Sequence, residues 1–335
     1  MPRLCSGLLL SLVIASSGSA VTMSWSPVGG AGNACDPQSQ GCFGAVGYAY
    51  DIGTYEVTNA QYAEFLNAKA KSDPFILYNP NMGNELPDFA GFGGIQRSGS
   101  AGSYVYTPIA GREDLPVNWV SYYDSLRFAN WMNNGQGNAD TESGAYTLLP
   151  ATGLNPSIPG NSNTVVRNPG AAIVLASENE WYKAAYYDVA STTYFDYPAD
   201  TNSPTECSGP TSAPNSANCS EQAPGDPEDM LPVGSYPGSA SPNGTFDQGG
   251  NVFEWNEAIT GVLRIYRGGA HNLTAALLNG SSRSTNGGAL ESVHVGLRLV
   301  LIPEPGTGLL FAVGLLGFAG WRRVRASNAP TSPSP

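Results

Sequence analysis

The chain has 335 residues, 15 Lys+Arg against 27 Asp+Glu, and a formal net charge of −12. That balance excludes nucleic acid as a partner, because binding to phosphodiesters draws on a basic surface that releases counterions. Only 13% of residues are charged, while Gly (41) and Pro (26) are abundant, so much of the chain has to run in turns and loops.

At the N-terminus, Arg3 precedes an apolar run from Leu8 to Ala15, and Gly18 and Ala20 occupy the −3 and −1 positions of a cleavage site. This is the layout of a secretory signal peptide over residues 1–20, which takes no part in the fold. Cys5 leaves with it. Cys35, Cys42, Cys207 and Cys219 remain. An even count in an exported chain predicts two disulfides, and the local pairs 35–42 and 207–219 are the simplest of three connectivities.

Val46, Tyr48, Tyr50 and Ile52 alternate with small or polar residues, the period of a half-buried strand. Thr58 with Gln61 forms a capping box that opens a helix burying Tyr62, Phe65 and Leu66. Tyr104–Tyr106 reads as a short strand. Ser121 with Asp124 opens a second helix through Leu126, Phe128, Ala129, Trp131 and Met132. Residues 133–170 are rich in turn formers. Ala172–Ala176 is a short apolar strand, and Ser177 with Glu180 opens a third helix through Trp181, Ala184 and Ala185. Two late strands follow, Arg264–Tyr266 and Val295–Ile302. Short helices among short strands predict one α+β domain with long loops. Trp119, Trp131, Trp181 and Trp255 fall at helix or strand positions and are expected in the core. The loop aromatics Tyr78, Phe89, Phe92, Tyr194, Phe195 and Tyr197 are the better candidates for contacting a ligand.

Past the domain, Pro303-Glu304-Pro305 precedes an apolar, glycine-rich stretch from Gly306 to Trp321, then Arg322, Arg323 and Arg325. Basic residues behind an apolar segment hold it in a membrane with the arginines on the cytoplasmic side. The segment is shorter than the ~20 residues that span a bilayer comfortably. It resembles the PEP-CTERM sorting signal over 303–325, with residues 326–335 as a disordered tail; an ordinary membrane anchor is the alternative. The resemblance implies an exosortase-type processing protease as partner. It also implies transient residence of 306–321 in the inner membrane of a Gram-negative-type bacterium, then delivery to the cell surface or the extracellular matrix.

Five blocks in the body resemble one family in order. They are Tyr55–Phe65 (YEVTNAQYAEF), Leu115–Asp124 (LPVNWVSYYD), Ala176–Trp181 (ASENEW), Gly249–Trp255 (GGNVFEW), and Arg267-Gly268-Gly269 with Gly296–Leu299 (GLRL). Over residues 45–302 the body is similar to the formylglycine-generating enzyme, or sulfatase-modifying factor, family. That resemblance implies a C-type-lectin-like fold. It also implies a copper site of two cysteines after the Arg-Gly-Gly block, since Cu(I) takes soft thiolates. The matching positions are Leu273 and Leu278, so neither copper nor iron is expected. A second branch of the family holds nonheme iron through closely spaced histidines. Here only His271 and His294 exist, without that spacing, and both read as loop histidines. The family's structural calcium would fall on Asp247 and Glu254 with the carbonyls of Gly250 and Val252, a set of hard oxygens suited to that ion.

Two functions from different classes follow. One is a surface or matrix module that uses the domain to bind exopolysaccharide or a surface protein. The other is an oxidoreductase of the family type, or a different metal-dependent activity on the same fold. The leucines at the thiol positions favour the first.

Overall fold

The computed structural model describes residues 20–83, 92–222 and 230–303. Residues 1–19 of the expected signal peptide, the apolar segment 306–321 and the tail 326–335 lie outside the described residues. Among the described residues no helix is long and apolar enough to cross a membrane.

In chain order, β1 (Trp25–Val28) precedes the hairpin of β2 (Asp36–Gln38) and β3 (Gly41–Phe43), and then β4 (Tyr50–Gly53). Helix α1 (Asn59–Lys69) leads to the hairpin of β5 (Ile95–Ser98) and β6 (Val105–Pro108), and to α2 (Tyr122–Asn133). Strand β7 (Ile173–Leu175) runs into α3 (Glu178–Tyr186), followed by two short pairs, β8 (Tyr187–Asp188) with β9 (Thr193–Tyr194) and β10 (Glu206–Cys207) with β11 (Ser216–Ala217). The last part holds β12 (Phe253–Thr260), β13 (Leu263–Arg267), β14 (Ser284–Gly287), β15 (Val295–Leu297) and β16 (Leu299–Leu301).

Two four-stranded sheets organise the body. The first has the order β1-β4-β16-β7 and is antiparallel throughout. The second has the order β14-β13-β12-β15, with β15 parallel to β12. The stretch expected as one strand over Val295–Ile302 is therefore two: β15 closes the second sheet and β16 sits inside the first. The change of sheet falls at Arg298, and residues 295–300 are buried throughout, so the alternation that would mark a half-exposed strand is absent. The strand expected from Val46 is also shorter and begins at Tyr50. Ahead of it Asn33 takes over the backbone, donating to the Gly44 carbonyl at 2.8 Å and accepting from the Val46 amide at 3.3 Å. Strand β1 pairs with β4, so the sheet starts upstream of residue 45.

All three helices begin at the expected capping boxes, with side chain and backbone bonded reciprocally at Thr58/Gln61, Ser121/Asp124 and Ser177/Glu180. Helix α1 buries Tyr62, Phe65 and Leu66. Helix α2 is buried on every face from Tyr122 to Met132, which requires its polar residues to be paired. Arg127 donates to Glu142 at 2.7 and 3.1 Å, and Asn130 donates to two carbonyls and accepts from the Tyr146 amide. Trp119, Trp131, Trp181 and Trp255 all lie in one continuous core. A small second cluster joins Tyr197, Ala217, Cys219 and Leu278, with Cys207 against it.

Candidate functional site

The segment 247–254 is a tight turn that the backbone holds open at several points. Asp247 and Asn251 adopt left-handed φ of 62° and 56°. Gly250 has φ +90°, and a Cβ there would stand 2.3 Å from the Asn218 carbonyl, so only glycine fits. The Asn251 side chain pairs with Leu231 as a strand would, accepting from its amide at 3.0 Å and donating to its carbonyl at 3.1 Å.

The expected calcium donors are brought near one another but are engaged elsewhere. Arg298 clamps Glu254 with Nε at 3.1 and 2.9 Å from the two oxygens and Nη2 at 2.7 Å from Oε1. The Trp181 indole donates to Oε2 at 2.6 Å. The remaining Arg298 protons go to the carbonyls of Gly53 and Phe246, each at 2.9 Å. Asp247 accepts from the Gly234 amide at 2.6 Å, and burial pushes its carboxyl up to about 6. Among the described residues no group of three or more His, Cys, Asp or Glu is placed to hold a metal ion. Glu254, the strongest of the expected calcium donors, thus faces a guanidinium. The unpartnered carboxylate nearby is one the sequence did not single out. Glu56 is fully buried, neither of its oxygens has a hydrogen-bond partner, and the closest cation is Arg298 Nη2 at 4.0 Å. Burial, then the neighbouring Asp247, raises its pKa well above the usual carboxylate range.

Of the positions of the family's thiols, Leu273 precedes a 3-10 turn, Ala275–Leu278, and Leu278 ends it. Leu278 is fully buried in the small cluster and Leu273 packs on the main core. The two disulfides are the local ones, Cys35–Cys42 and Cys207–Cys219, so all four exported cysteines are spent. The two histidines, expected as separate loop residues, meet: His294 Nδ1 lies 3.2 Å from His271 Nε2. Asn272 Nδ2 is 3.3 Å from the other nitrogen of His294. His271 is 1% exposed, its Nδ1 has no partner, and burial lowers its pKa to about 4. Their places in the sequence, His271 just after Arg-Gly-Gly and His294 just before the last strand, allow them to be neighbours, although 23 residues separate them.

Most loop aromatics serve the fold. Tyr78 and Tyr197 are buried, and Tyr194 packs at a tilt against Tyr187 and bonds Asn33 and the Ala34 carbonyl. Phe89 lies outside the described residues. A different cluster opens to solvent instead, and sequence reading missed it. Arg167, the one charged residue between Glu142 and Glu178, donates to both oxygens of Glu180 at 2.9 and 2.7 Å and to Glu257 at 2.8 Å. Tyr146 also donates to Glu257, and Tyr48 donates to Glu180 at 2.6 Å. A lone arginine in a charge-poor, turn-rich stretch was the available signal.

Comparison with known proteins agrees with this architecture. The sulfatase-modifying factor enzyme 1-like domain matches residues 44–302, and the PEP-CTERM protein-sorting motif matches residues 301–324. Among curated proteins, hercynine oxygenase of Mycobacterium tuberculosis is 24% identical over 277 residues, covering 75% of this chain and 52% of its own length. The chain therefore spans about half of that relative. Among solved structures, CarF superimposes with a TM-score of 0.55 at 20% identity, over 85% of this chain and 100% of CarF. Treponema denticola variable protein 1 gives a TM-score of 0.52 at 17% identity, over 86% of this chain and 98% of its own. At these identities the likeness is one of fold, the C-type-lectin-like fold of this family. The sorting motif marks an exported protein of a Gram-negative-type bacterium and implies processing by exosortase. The chain belongs to the family of sulfatase-modifying factor enzyme 1-like domains and carries a PEP-CTERM sorting motif at its C-terminus.

Proposed function

We propose that this is a binding or structural module of the cell surface or extracellular matrix, linked to exopolysaccharide, and without formylglycine-generating chemistry. The observation that carries the reading is the state of the thiol positions. Leu273 and Leu278 pack into apolar clusters, and the remaining cysteines are consumed in disulfides. No side chain at those positions supplies the thiolates that copper requires. The same fold serves many functions, so the loss of one site leaves a loop-presenting scaffold. The membrane passage of 306–321 and the release of the body by exosortase belong to the same proposal. The experiment measures retention of the purified chain on the host's exopolysaccharide, beside bound copper and iron and oxidation of a cysteine-containing peptide. Retention with no turnover supports the module; stoichiometric redox metal with turnover overturns it.

The second reading is a metal-dependent oxygenase on this fold. It is favoured by the approach of His271 to His294 and by the similarity to hercynine oxygenase. An iron triad of the usual kind needs a carboxylate beside two histidines. The described residues supply the two imidazoles without a third His, Cys, Asp or Glu ligand. Iron loading followed by oxygen consumption with hercynine and a thiol tests it, and loading that survives His294→Ala removes it.

A further inference from the structure

A cleft of ≈ 330 Å³ opens between Tyr48, Tyr122, Tyr146, Arg167, Ser177 and Glu257, within the size range of small-molecule sites, which begins at about 300 Å³. Its floor is rigid. Arg167 is fixed by Glu180 and Glu257 and by the Leu175 carbonyl at 3.0 Å, and the Tyr146 hydroxyl accepts from the Leu175 amide at 2.9 Å. Glu257 reaches the cleft through a bulge. The β12–β13 register jumps between Asn256 and Ile259, leaving Glu257 and Ala258 without cross-strand partners, and bulges re-aim side chains at sites of this kind.

Three hydrogen-bonding groups in this rigid floor are unspent. Both the Arg167 and Tyr146 bonds fall on Oε1 of Glu257, and no group among the described residues bonds Oε2. The Tyr122 hydroxyl likewise has no partner among the described residues, although its ring is 1% exposed. Neither atom is a buried orphan, so each opens to the cleft. Ser177 Oγ accepts from the Glu180 amide at 3.2 Å and keeps its proton to donate. The floor therefore offers an acceptor, a donor and a hydroxyl that can do either. Charge is balanced at the floor: Arg167 is paired with Glu180 and Glu257, and Arg264 lies 4.2 Å over the Tyr122 ring with Nη1 on the Glu257 carbonyl at 3.2 Å. The two charged side chains that line the cleft, Arg167 and Glu257, are of opposite sign. One exposed tyrosine face, mixed donors and acceptors and no net charge select a neutral polyol whose C–H face rests on a ring.

We propose that this cleft binds one neutral sugar unit, with Tyr48 as its aromatic contact and Glu257 Oε2, Tyr122 Oη and Ser177 Oγ bonding its hydroxyls. This deepens the proposed glycan-linked module and rests on that reading.

Saturation-transfer NMR on the full chain in detergent micelles tests it. The probes are glucose, galactose, mannose and N-acetylglucosamine, with glucuronate and glucosamine as charged controls. A neutral sugar is expected to give signal at millimolar concentration, and the charged controls less. Tyr122→Phe removes one hydroxyl and is expected to weaken binding about tenfold. Val166→Trp, at a rim position 73% exposed in the native chain, is expected to block the cleft while the thermal transition stays in place. The cleft is overturned if no neutral sugar gives signal, or if signal persists undiminished in both variants. Polysaccharide retention that survives Val166→Trp overturns the cleft and leaves the module reading standing. Monosaccharide binding by a chain the polysaccharide does not retain overturns the matrix reading and supports the cleft.

Discussion

Glu254 and Glu257 stand three residues apart on β12, and each is bound to an arginine, yet the two pairs have opposite surroundings. The Glu254–Arg298 pair is fully buried, with both side chains at 0% exposure. The Glu257–Arg167 pair is 19% exposed on each side chain and borders the cleft. In the first, Arg298 and Trp181 consume both carboxylate oxygens. In the second, one oxygen is left over. The comparison separates an ion pair that ties two sheets together from one that is held rigid and kept partly available. The sharpest way to break it is the same substitution at both positions. Glu254→Gln removes the charge facing a fully buried guanidinium, and an uncompensated buried charge costs about 3–5 kcal/mol. Denaturant unfolding is expected to reveal that loss, and a cost under about 1 kcal/mol would put the two pairs in one class.

The closed pair is also braced from outside. Asn251 donates its amide to the Asn218 carbonyl at 2.9 Å, and Cys219 follows directly with its bond to Cys207, 12 residues back. A loop of that length constrains the unfolded chain by about 3 kcal/mol in the chain-entropy account. Cys207→Ser with Cys219→Ser should lower stability by about that amount. Copper content should not change. Copper bound by the native chain and lost in the double variant would challenge the assignment of both cysteines to structure.

Much of this was legible beforehand, and the reasons for the gaps are physical. Capping boxes are local, needing only residues three apart, so Thr58, Ser121 and Ser177 marked three helix starts correctly. The core tryptophans were legible for the same reason. Strand limits depend on partners far away in sequence. Val295–Ile302 looked like one strand because every residue is apolar or small except Arg298, and nothing local says that the chain changes sheets there. The cleft was illegible because Tyr48, Tyr146, Arg167 and Glu257 come from four segments, and a bulge, which has no sequence signature here, aims the last of them.

The next effect comes from pH. Burial raises Asp124 and Asp247 to about 6 and Glu291 to about 8. Asp124 and Asp73 add to the shift at Glu291, and Asn79 opposes it. A carboxyl with a raised folded pKa binds its proton more tightly in the native state, so stability falls as pH rises from the unfolded value near 4 through the folded one. The two histidines work the other way. Burial lowers His271 to about 4 and lowers His294 as well, so both lose stability as pH falls below the unfolded value near 6.5. Three carboxyls outweigh two imidazoles, so Tm should be higher near pH 5.5 than near pH 8. Glu291→Gln should flatten the part of the curve above pH 6, and a Tm that rises steadily toward pH 8 would contradict these assignments.

Glu257→Gln completes the paired test. Its side chain is partly in water, and the amide oxygen can still accept from Tyr146 and Arg167, so the loss should stay within about 1 kcal/mol. The unspent position would change from acceptor to donor. Neutral-sugar signal should fall while the unfolding midpoint hardly moves. A large stability loss would mean that the exposed pair is as structural as the buried one.

The smallest expected effect is that of calcium. The ion wants six to eight oxygens, and a bidentate or paired carboxylate usually anchors it. Glu254 would have to turn away from a guanidinium 2.7 Å from its oxygen and from the Trp181 indole, stranding Arg298 in the core. Asp247 contributes one carboxylate whose pKa is already raised by burial. Added calcium should therefore leave Tm unchanged at neutral pH, in the native chain and in Asp247→Asn alike. A calcium-dependent rise that Asp247→Asn abolishes would show that the turn opens to take the ion, with Glu56 as the carboxylate that has no other partner to lose. In that case the buried centre would be a second adaptable site, and the contrast with the cleft would lie in what each one binds.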